Sequence, residues 1–290
     1  MGSMLRQMVA GEKQMSALTQ WSVRPCARLA PFIDRLWGCR SAQPLSLPPL
    51  LPGTGSELLL HLAMPPRLTD GSALPQAYLM SPRRHSLTLM SGPKLEVIAV
   101  RFKSGQLRHF TPRSFAELND QFTSWQQLWG VEAERLILQL QLAADVEQQV
   151  ALLQQFLLAR LEQHHIADPA EDALIQRLYY EPTLSIEELA RWSGWSRRQL
   201  ERRFQNAFAI TPKHFARLAR LQHALRSMVL TPQQNLLEIA LCHGFWDQSH
   251  LIHECQALAG RSPLALRRQL QQGLHYYHPP SRQPQYPGTE

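Results

Sequence analysis

The last third of the chain writes one pattern twice, and few folds accommodate such a repeat. In the first copy Leu189-Ala190 precedes Gly194-Trp195, Ser196 opens a segment carrying Leu200 and Phe204, and Ala209-Ile210-Thr211-Pro212 closes it. In the second, Ile239-Ala240 precedes Gly244-Phe245, Asp247 opens a segment with Leu251 and Cys255, and Gly260-Arg261-Ser262-Pro263 closes it. The offset is fifty residues up to the glycine and fifty-one beyond it, so the second turn carries one inserted residue.

Capping and periodicity say what each copy builds. Ser185-Ile186-Glu187-Glu188 is a capping box, in which serine takes an orphan amide and Glu188 reaches back. The short helix it starts buries Ile186, Leu189 and Ala190 and stops at Gly194. Ser196, with Gln199 three residues on, caps the next helix. Leu200 and Phe204 lie one turn apart and face inward, which turns Arg198, Glu201, Arg202 and Gln205 outward. Two short helices around a tight turn, the second polar on its outer face, form a helix-turn-helix. Its outer helix fits the major groove of DNA, where arginine grips guanine O6 and N7.

Between the copies, Thr211-Pro212 starts a helix predicted to reach Met228, with Phe215, Leu218, Leu221 and Leu225 on its inner face. At 1.5 Å per residue it spaces the modules by roughly 27 Å. With the modules' own width, both reading helices come near one turn of B-DNA, about 34 Å, so one chain can enter two successive major grooves.

These residues resemble the AraC/XylS transcription regulators. The run I-A-x-x-x-G-F-x-D-x-S of that family stands here as Ile239-Ala240-Leu241-Cys242-His243-Gly244-Phe245-Trp246-Asp247-Gln248-Ser249, and Gly260-Arg261-Ser262-Pro263 matches the G-x-[ST]-P that follows. The resemblance covers the last third of the chain and implies base readers at Arg198, Glu201 and Arg202 in the first helix and at Gln248, Ser249 and His253 in the second. The full DNA-facing set is Ser196, Arg197, Arg198, Glu201, Arg202, Gln205, Gln248, Ser249, His250 and His253. The chain departs from the family at His253, where arginine is usual, at Leu251 and Cys255, where phenylalanine is usual, and at Ala209, where glycine would sit more comfortably in the left-handed region. A neutral histidine attracts phosphate less than arginine does, so the first copy is expected to dominate affinity.

Charge placement agrees. Between Thr183 and Gln272 twelve lysines and arginines face six carboxylates, so this third holds six of the seven excess positive charges. A basic module beside a nearly neutral one suits a reader of polyanions tethered to something else. The four cysteines, Cys26, Cys39, Cys242 and Cys255, form no C-x-x-C pair and no zinc spacing with the histidines. Cys242 and Cys255 fall at apolar helix positions and are expected to be buried. Neither a signal peptide nor a membrane span is visible, which leads to the expectation of a cytoplasmic protein without metal or cofactor.

Residues 16–125 have another texture. Short apolar runs between prolines and glycines, at Phe32–Trp37, Glu57–Leu62, Ala77–Met80, Ser86–Met90 and Leu95–Phe102, predict a small barrel or sandwich, Leu95–Phe102 being the clearest strand. Leu51-Pro52-Gly53-Thr54-Gly55-Ser56-Glu57, followed by Val100-Arg101-Phe102, resembles the cupin-like sensor-type domain ahead of some AraC-type modules. That looser resemblance implies a regulatory or small-molecule domain without naming a ligand. The histidines His61, His85 and His109 stand alone rather than as a metal-cupin H-x-H set, and structural or surface roles are expected for them. Glu57, His61, Tyr78 and Arg101 are the candidates to line a pocket, with packing or a salt bridge as the competing reading of each.

Residues 126–165 read as a helical connector. Leu136, Leu140 and Ala143 precede an Asp145 cap, and Val146, Val150, Leu153, Leu157 and Leu161 make a stripe that pairs either with a second subunit or with the chain's own β-region. Asp168-Pro169-Ala170-Glu171 caps the first helix of the reader, 168–272. Residues 1–15, with Met1-Gly2-Ser3 ahead of Met4, read as a disordered lead or cloning scar, and the proline-rich 273–290 as a disordered tail. The fold class is α+β: a β-rich N-terminal part, a helical connector and an all-α double reader. The expected function is sequence-specific DNA binding in transcription regulation, without catalysis. RNA polymerase, a small-molecule effector and a second copy of the chain are left open as partners. A β-domain enzyme with a DNA anchor and a protein-interaction adaptor are the competing classes.

Overall fold

The structure, a computed structural model, describes residues 18–272 apart from 45, 46, 48 and 91. The expected lead at 1–15 and tail at 273–290 lie outside the described residues.

The β-rich part is one antiparallel sheet of six strands and a separate ribbon of two. The sheet comprises β1 (Leu18–Val23), β2 (Ile33–Ser41), β3 (Glu57–His61), β5 (Ala77–Met80), β7 (Leu95–Phe102) and β8 (Phe122–Ser124), in the order β1-β2-β7-β3-β5-β8. The ribbon pairs β4 (Arg67–Leu68) with β6 (Leu89–Met90). All the apolar runs expected as strands contribute one. β1, β4 and β8 fall outside the expected runs: β1 and β8 are edge strands with little alternation to reveal them, and β4 is only two residues long.

Period-two geometry gives the sheet two occupied faces. Leu36, Leu58, Leu60, Leu79, Ile98 and Val100 belong to the main core, together with the helices that follow the sheet. Cys39, Leu59, Tyr78, Val97 and Ala99, on the opposite face, pack with Leu47, Leu50, Leu74 and Leu89. Burial on both faces explains why β3 reads as a continuous apolar run rather than an alternating one.

After the sheet come a 3-10 turn at Gln106–His109, then α1 (Phe115–Leu118), α2 (Trp125–Trp129), α3 (Val131–Leu142) and α4 (Val146–His164). Two indoles tie α2 down: Trp125 Nε1 donates to the Tyr78 carbonyl at 3.1 Å, and Trp129 Nε1 to the Phe110 carbonyl at 2.9 Å. Four of the five stripe residues on α4 are spent within the chain, since Val150, Leu153, Leu157 and Leu161 are buried in the main core, whereas Val146 in the first turn is exposed. Of the two uses left open for that stripe, packing on its own chain is the one observed.

The helical part runs α5 (Pro169–Tyr180), α6 (Ile186–Ser193), α7 (Arg197–Phe208), α8 (Pro212–Leu230), α9 (Leu236–Cys242), α10 (Gln248–Ala259) and α11 (Pro263–Gln272). The main core does not break at the junction: Phe115 stacks on Phe208 with centroids 5.4 Å apart, and Phe208 in turn meets Phe204 and Phe215. One expectation fails here. Cys255 is buried, but Cys242 is exposed. Helix α9 turns Leu236, Ile239 and Ala240 inward, and position 242 falls off that face.

Candidate nucleic-acid interface

Each copy is assembled by side chains capping backbone. Ser185 Oγ accepts from the Glu188 amide at 3.1 Å while the Ser185 amide donates to Glu188 Oε2 at 2.8 Å, and α6 begins there. Gly194, at φ 70°, makes the turn. Ser196 caps α7 in the same reciprocal way through Gln199. In the second copy Asn235, a cap not recognised in the sequence, accepts from the Glu238 amide at 2.9 Å. Gly244 turns the chain at φ 72°, where an added Cβ would also lie 2.2 Å from Thr183 Cγ2. Asp247 then caps α10, accepting from the His250 amide at 2.7 Å.

The inner faces are closed. Leu200, Phe204 and Phe208 on α7 and Leu251, Cys255 and Leu258 on α10 are buried. The outer face of α7 therefore exposes Ser196, Arg197, Arg198, Glu201, Arg202 and Gln205. That of α10 exposes Gln248, Ser249 and His253, with His250 half-buried.

These residues are not equivalent electrostatically. Arg197 bonds Glu187 and Glu201, both at 3.0 Å, so those three side chains already satisfy one another across the two helices. Arg203 lies against Asp168 at 3.0 Å and over the Trp195 ring at 4.3 Å, which ties α7 to the cap of α5. Arg198 and Arg202 make no ion pair among the described residues and keep their full donor sets for an anion.

His250 Nδ1 accepts from the Trp246 amide at 3.3 Å. The proton of a neutral ring then sits on Nε2, so the residue is a donor beyond the helix start. Trp246 itself is 86% exposed, its ring 5.4 Å from that of His250. Sequence reasoning passed over it, although an aromatic residue immediately before an N-cap was the available signal.

The two copies sit at the ends of α8. Thr211 Oγ1 accepts from the His214 amide at 3.2 Å and Pro212 fills the first turn, so the helix starts where expected and runs 19 residues. At 1.5 Å per residue its length is about 28 Å.

The four residues expected to line a pocket do share one face of the sheet, because Glu57 stands opposite Arg101, and Leu59 opposite Tyr78, in the strand register. They divide into two pairs. His61 Nε2 and the Tyr78 hydroxyl are 3.3 Å apart with rings stacked at 5.7 Å, and burial lowers the His61 pKa to about 4, so this pair is packed and neutral. Glu57 and Arg101 line a cleft instead. Burial raises the Glu57 pKa against the pull of Arg101 and of the Trp37 indole, which donates to Glu57 Oε1 at 2.6 Å. Among the described residues no group of three or more His, Cys, Asp or Glu could hold a metal ion, and no helix is long and apolar enough to cross a membrane.

Two helix-turn-helix units joined by one long helix, each with a closed inner face and a polar outer one, define a double helix-turn-helix domain. Residues 189–269 match the helix-turn-helix domain family, and this region of the chain is a helix-turn-helix domain of the AraC type. Residues 22–124 match a second family, described as a domain of unknown function. An uncharacterized HTH-type transcriptional regulator of Staphylococcus aureus is 26% identical over 108 residues, 35% of this chain and 14% of the relative. The chain thus spans about one seventh of the length of the curated relatives it matches. Among solved structures, the DNA-binding domain of AdpA in complex with a target DNA is 25% identical over 36% of this chain and 94% of that one, with a TM-score of 0.33. ToxT from Vibrio cholerae is 12% identical over 80% of this chain and 95% of that one, with a TM-score of 0.46.

Proposed function

We propose that the chain is a sequence-specific DNA-binding transcription regulator that inserts α7 and α10 into successive major grooves. The observation carrying this reading is the pair of polar outer faces at the two ends of one 19-residue helix, with Arg198 and Arg202 exposed on the first. Arg198 and Arg202 supply guanine contacts, while Gln205 and Gln248 offer amide pairs to adenine or to phosphate. Ser196, Ser249, His250 and the helix N-termini fix the register on the backbone. Arg197 and Glu201 brace the first reader, and His253 gives the second a weaker anchor than arginine would. The role is binding rather than turnover, and it is exercised in the cytoplasm. The β-rich part, 16–125, and the connector, 126–165, regulate the reader at 168–272, through a small-molecule effector; a second copy of the chain and RNA polymerase complete the working assembly.

Selection of bound sequences from a random duplex pool by the full chain tests the reading. The expected pool carries two short blocks about 10 base pairs apart, from one helical turn of spacing. Binding that is equally tight to the unselected pool, or that does not weaken with salt, would overturn it.

A further inference from the structure

The two copies differ by one residue at the reading end. Gly194-Trp195 leads straight into the Ser196 cap of α7, whereas Gly244-Phe245 is followed by Trp246 before the Asp247 cap of α10. The aromatic residue common to both turns is engaged in each: Phe245 is buried, and Trp195, half-buried, lies under the Arg203 guanidinium at 4.3 Å. The inserted Trp246 is 86% exposed. An apolar residue just before an N-cap often packs on the fourth residue of the helix, here Leu251, yet Leu251 is fully buried while Trp246 stays in solvent. The indole is nevertheless held. The His250 ring lies 5.3 Å from the Phe245 ring and 5.4 Å from that of Trp246, and His250 Nδ1 accepts from the Trp246 amide at 3.3 Å. Trp246 therefore stands on a stack of rings that begins in the core.

The reading helices also differ in charge. Helix α7 carries Arg197, Arg198, Arg202 and Arg203, whereas α10 contains neither lysine nor arginine, and its Glu254 is tied to Arg217. Phosphate attraction through cations is thus closed to α10 itself. What its N-terminal end offers is a large apolar surface, and in a docked helix-turn-helix that end meets the base edges. In the major groove the one apolar group on any base edge is the C5-methyl of thymine. The phosphate chain suits the indole less, because the face of an aromatic ring carries partial negative charge.

We propose that Trp246 is a specificity-determining residue of the second reader and selects a thymine by packing its indole on the C5-methyl group. This rests on the DNA-reading function above and adds a base to it. The AraC-type run leaves position 246 open, so the preference belongs to this chain rather than to the motif. The two copies then discriminate by different chemistry: the first by arginine hydrogen bonds to guanine, the second by an apolar contact that needs no charge. Because the turn and the His250 ring fix the indole before DNA arrives, little ordering remains to oppose the contact.

The test uses the full chain and the duplex it selects from the random pool. Each thymine of that duplex is replaced in turn by deoxyuridine, which removes the methyl and leaves every base-pair hydrogen bond in place. At one thymine the exchange should weaken binding about fourfold, the worth of one buried methyl. Trp246→Ala should weaken binding to the unmodified duplex about tenfold and bind the thymine and uracil forms of that position alike. That thymine should lie in the block whose discrimination Arg202→Ala leaves intact, since Arg202 belongs to the other reader. Trp246 is exposed, so the alanine variant should unfold at the temperature of the unmodified chain, and the uracil scan on the unmodified chain stands without it. A scan in which no methyl matters overturns the proposal, as does a methyl effect that survives Trp246→Ala. Loss of affinity from Trp246→Ala with a flat scan would put the indole on the sugar–phosphate chain and overturns it too. Should no sequence be selected, the regulator reading fails and this proposal with it; a selected sequence indifferent to its methyls defeats the proposal alone.

Discussion

The first helix-turn-helix meets the β-rich part from several directions. Arg108 pairs with Glu171 and, at 2.7 Å, with Asp172 on α5. Asn119 Nδ2 donates to the Phe208 carbonyl at the end of α7 at 2.7 Å, and Gly105 lies so near Phe208 that a Cβ would come within 2.6 Å of its ring. The second copy meets that part through Ser86 Oγ, which donates to the Ala259 carbonyl at 3.0 Å, and through Leu270 beside the cleft. Two units of nearly the same design are therefore held in different ways. The first takes its place from the N-terminal part, and the second takes its place largely from α8, against which Arg217 grips Glu254 at 2.6 Å.

Loosening the clamp on the first copy is the largest expected perturbation. Burial alone would raise the Asp172 pKa, but hydrogen bonds from His109 and Arg108 hold it down at about 2. A carboxyl held below its ordinary range stabilises the native state above about pH 4 and loses that contribution as the pH falls towards 2. Asp172→Ala leaves Arg108, 8% exposed, with Glu171 alone, and should cost about 3 kcal/mol at neutral pH. Thermal unfolding of both proteins against pH checks this, with the difference shrinking below about pH 4. A cost that does not change with pH would place the effect in packing rather than charge. Hydrogen exchange should quicken in α5 and α7 before α10, and the reverse order would break the contrast between the copies.

Next in size is recognition itself. Arg202→Ala should weaken binding to the preferred site by about 1–3 kcal/mol and relax discrimination at one base. In the second copy His253→Arg should tighten binding and steepen the salt dependence by about one unit of log–log slope. Equal loss from Arg202→Ala on random duplex would remove it from base reading. An unchanged slope with His253→Arg would mean that α10 does not approach phosphate at that position.

What the sequence made legible follows from how local the physics is. Caps at Ser185, Ser196, Thr211 and Asp247, glycine turns, and the inward pairs Leu200/Phe204 and Leu251/Cys255 are decided within one or two helical turns, so the layout of the reader is legible in the sequence. The β-part was legible only as strands, because their order depends on pairings such as Glu57 with Arg101, more than forty residues apart. Two neighbours on one sheet face, Glu57 and His61, ended in different surroundings for the same reason: nothing near them in the chain says that Gln222 and Leu270 close over one and not the other. Cys242 misled because apolar periodicity is weakest in the last turn of a seven-residue helix.

The smallest expected effect isolates the one place where the copies differ in backbone chemistry alone. Ala209 ends α7 at φ 54°, ψ 23°, and Gly260 ends α10 at φ 67°, ψ 14°. Both residues sit in the left-handed region, where a Cβ crowds the neighbouring carbonyl and glycine meets no such contact. A Cβ built on Gly260 finds nothing within 4 Å, so packing does not confound the exchange there. Ala209→Gly should therefore stabilise the chain by about 1 kcal/mol, and Gly260→Ala should destabilise it by a similar amount. The double variant should return close to the starting stability, since the sites belong to separate turns and share no partner. Denaturant midpoints measure all three proteins. Stabilisation from Ala209→Gly that falls short of the loss from Gly260→Ala would show how much of the alanine's strain is relieved by the Phe208 carbonyl bond from Asn119, which fixes that turn from outside.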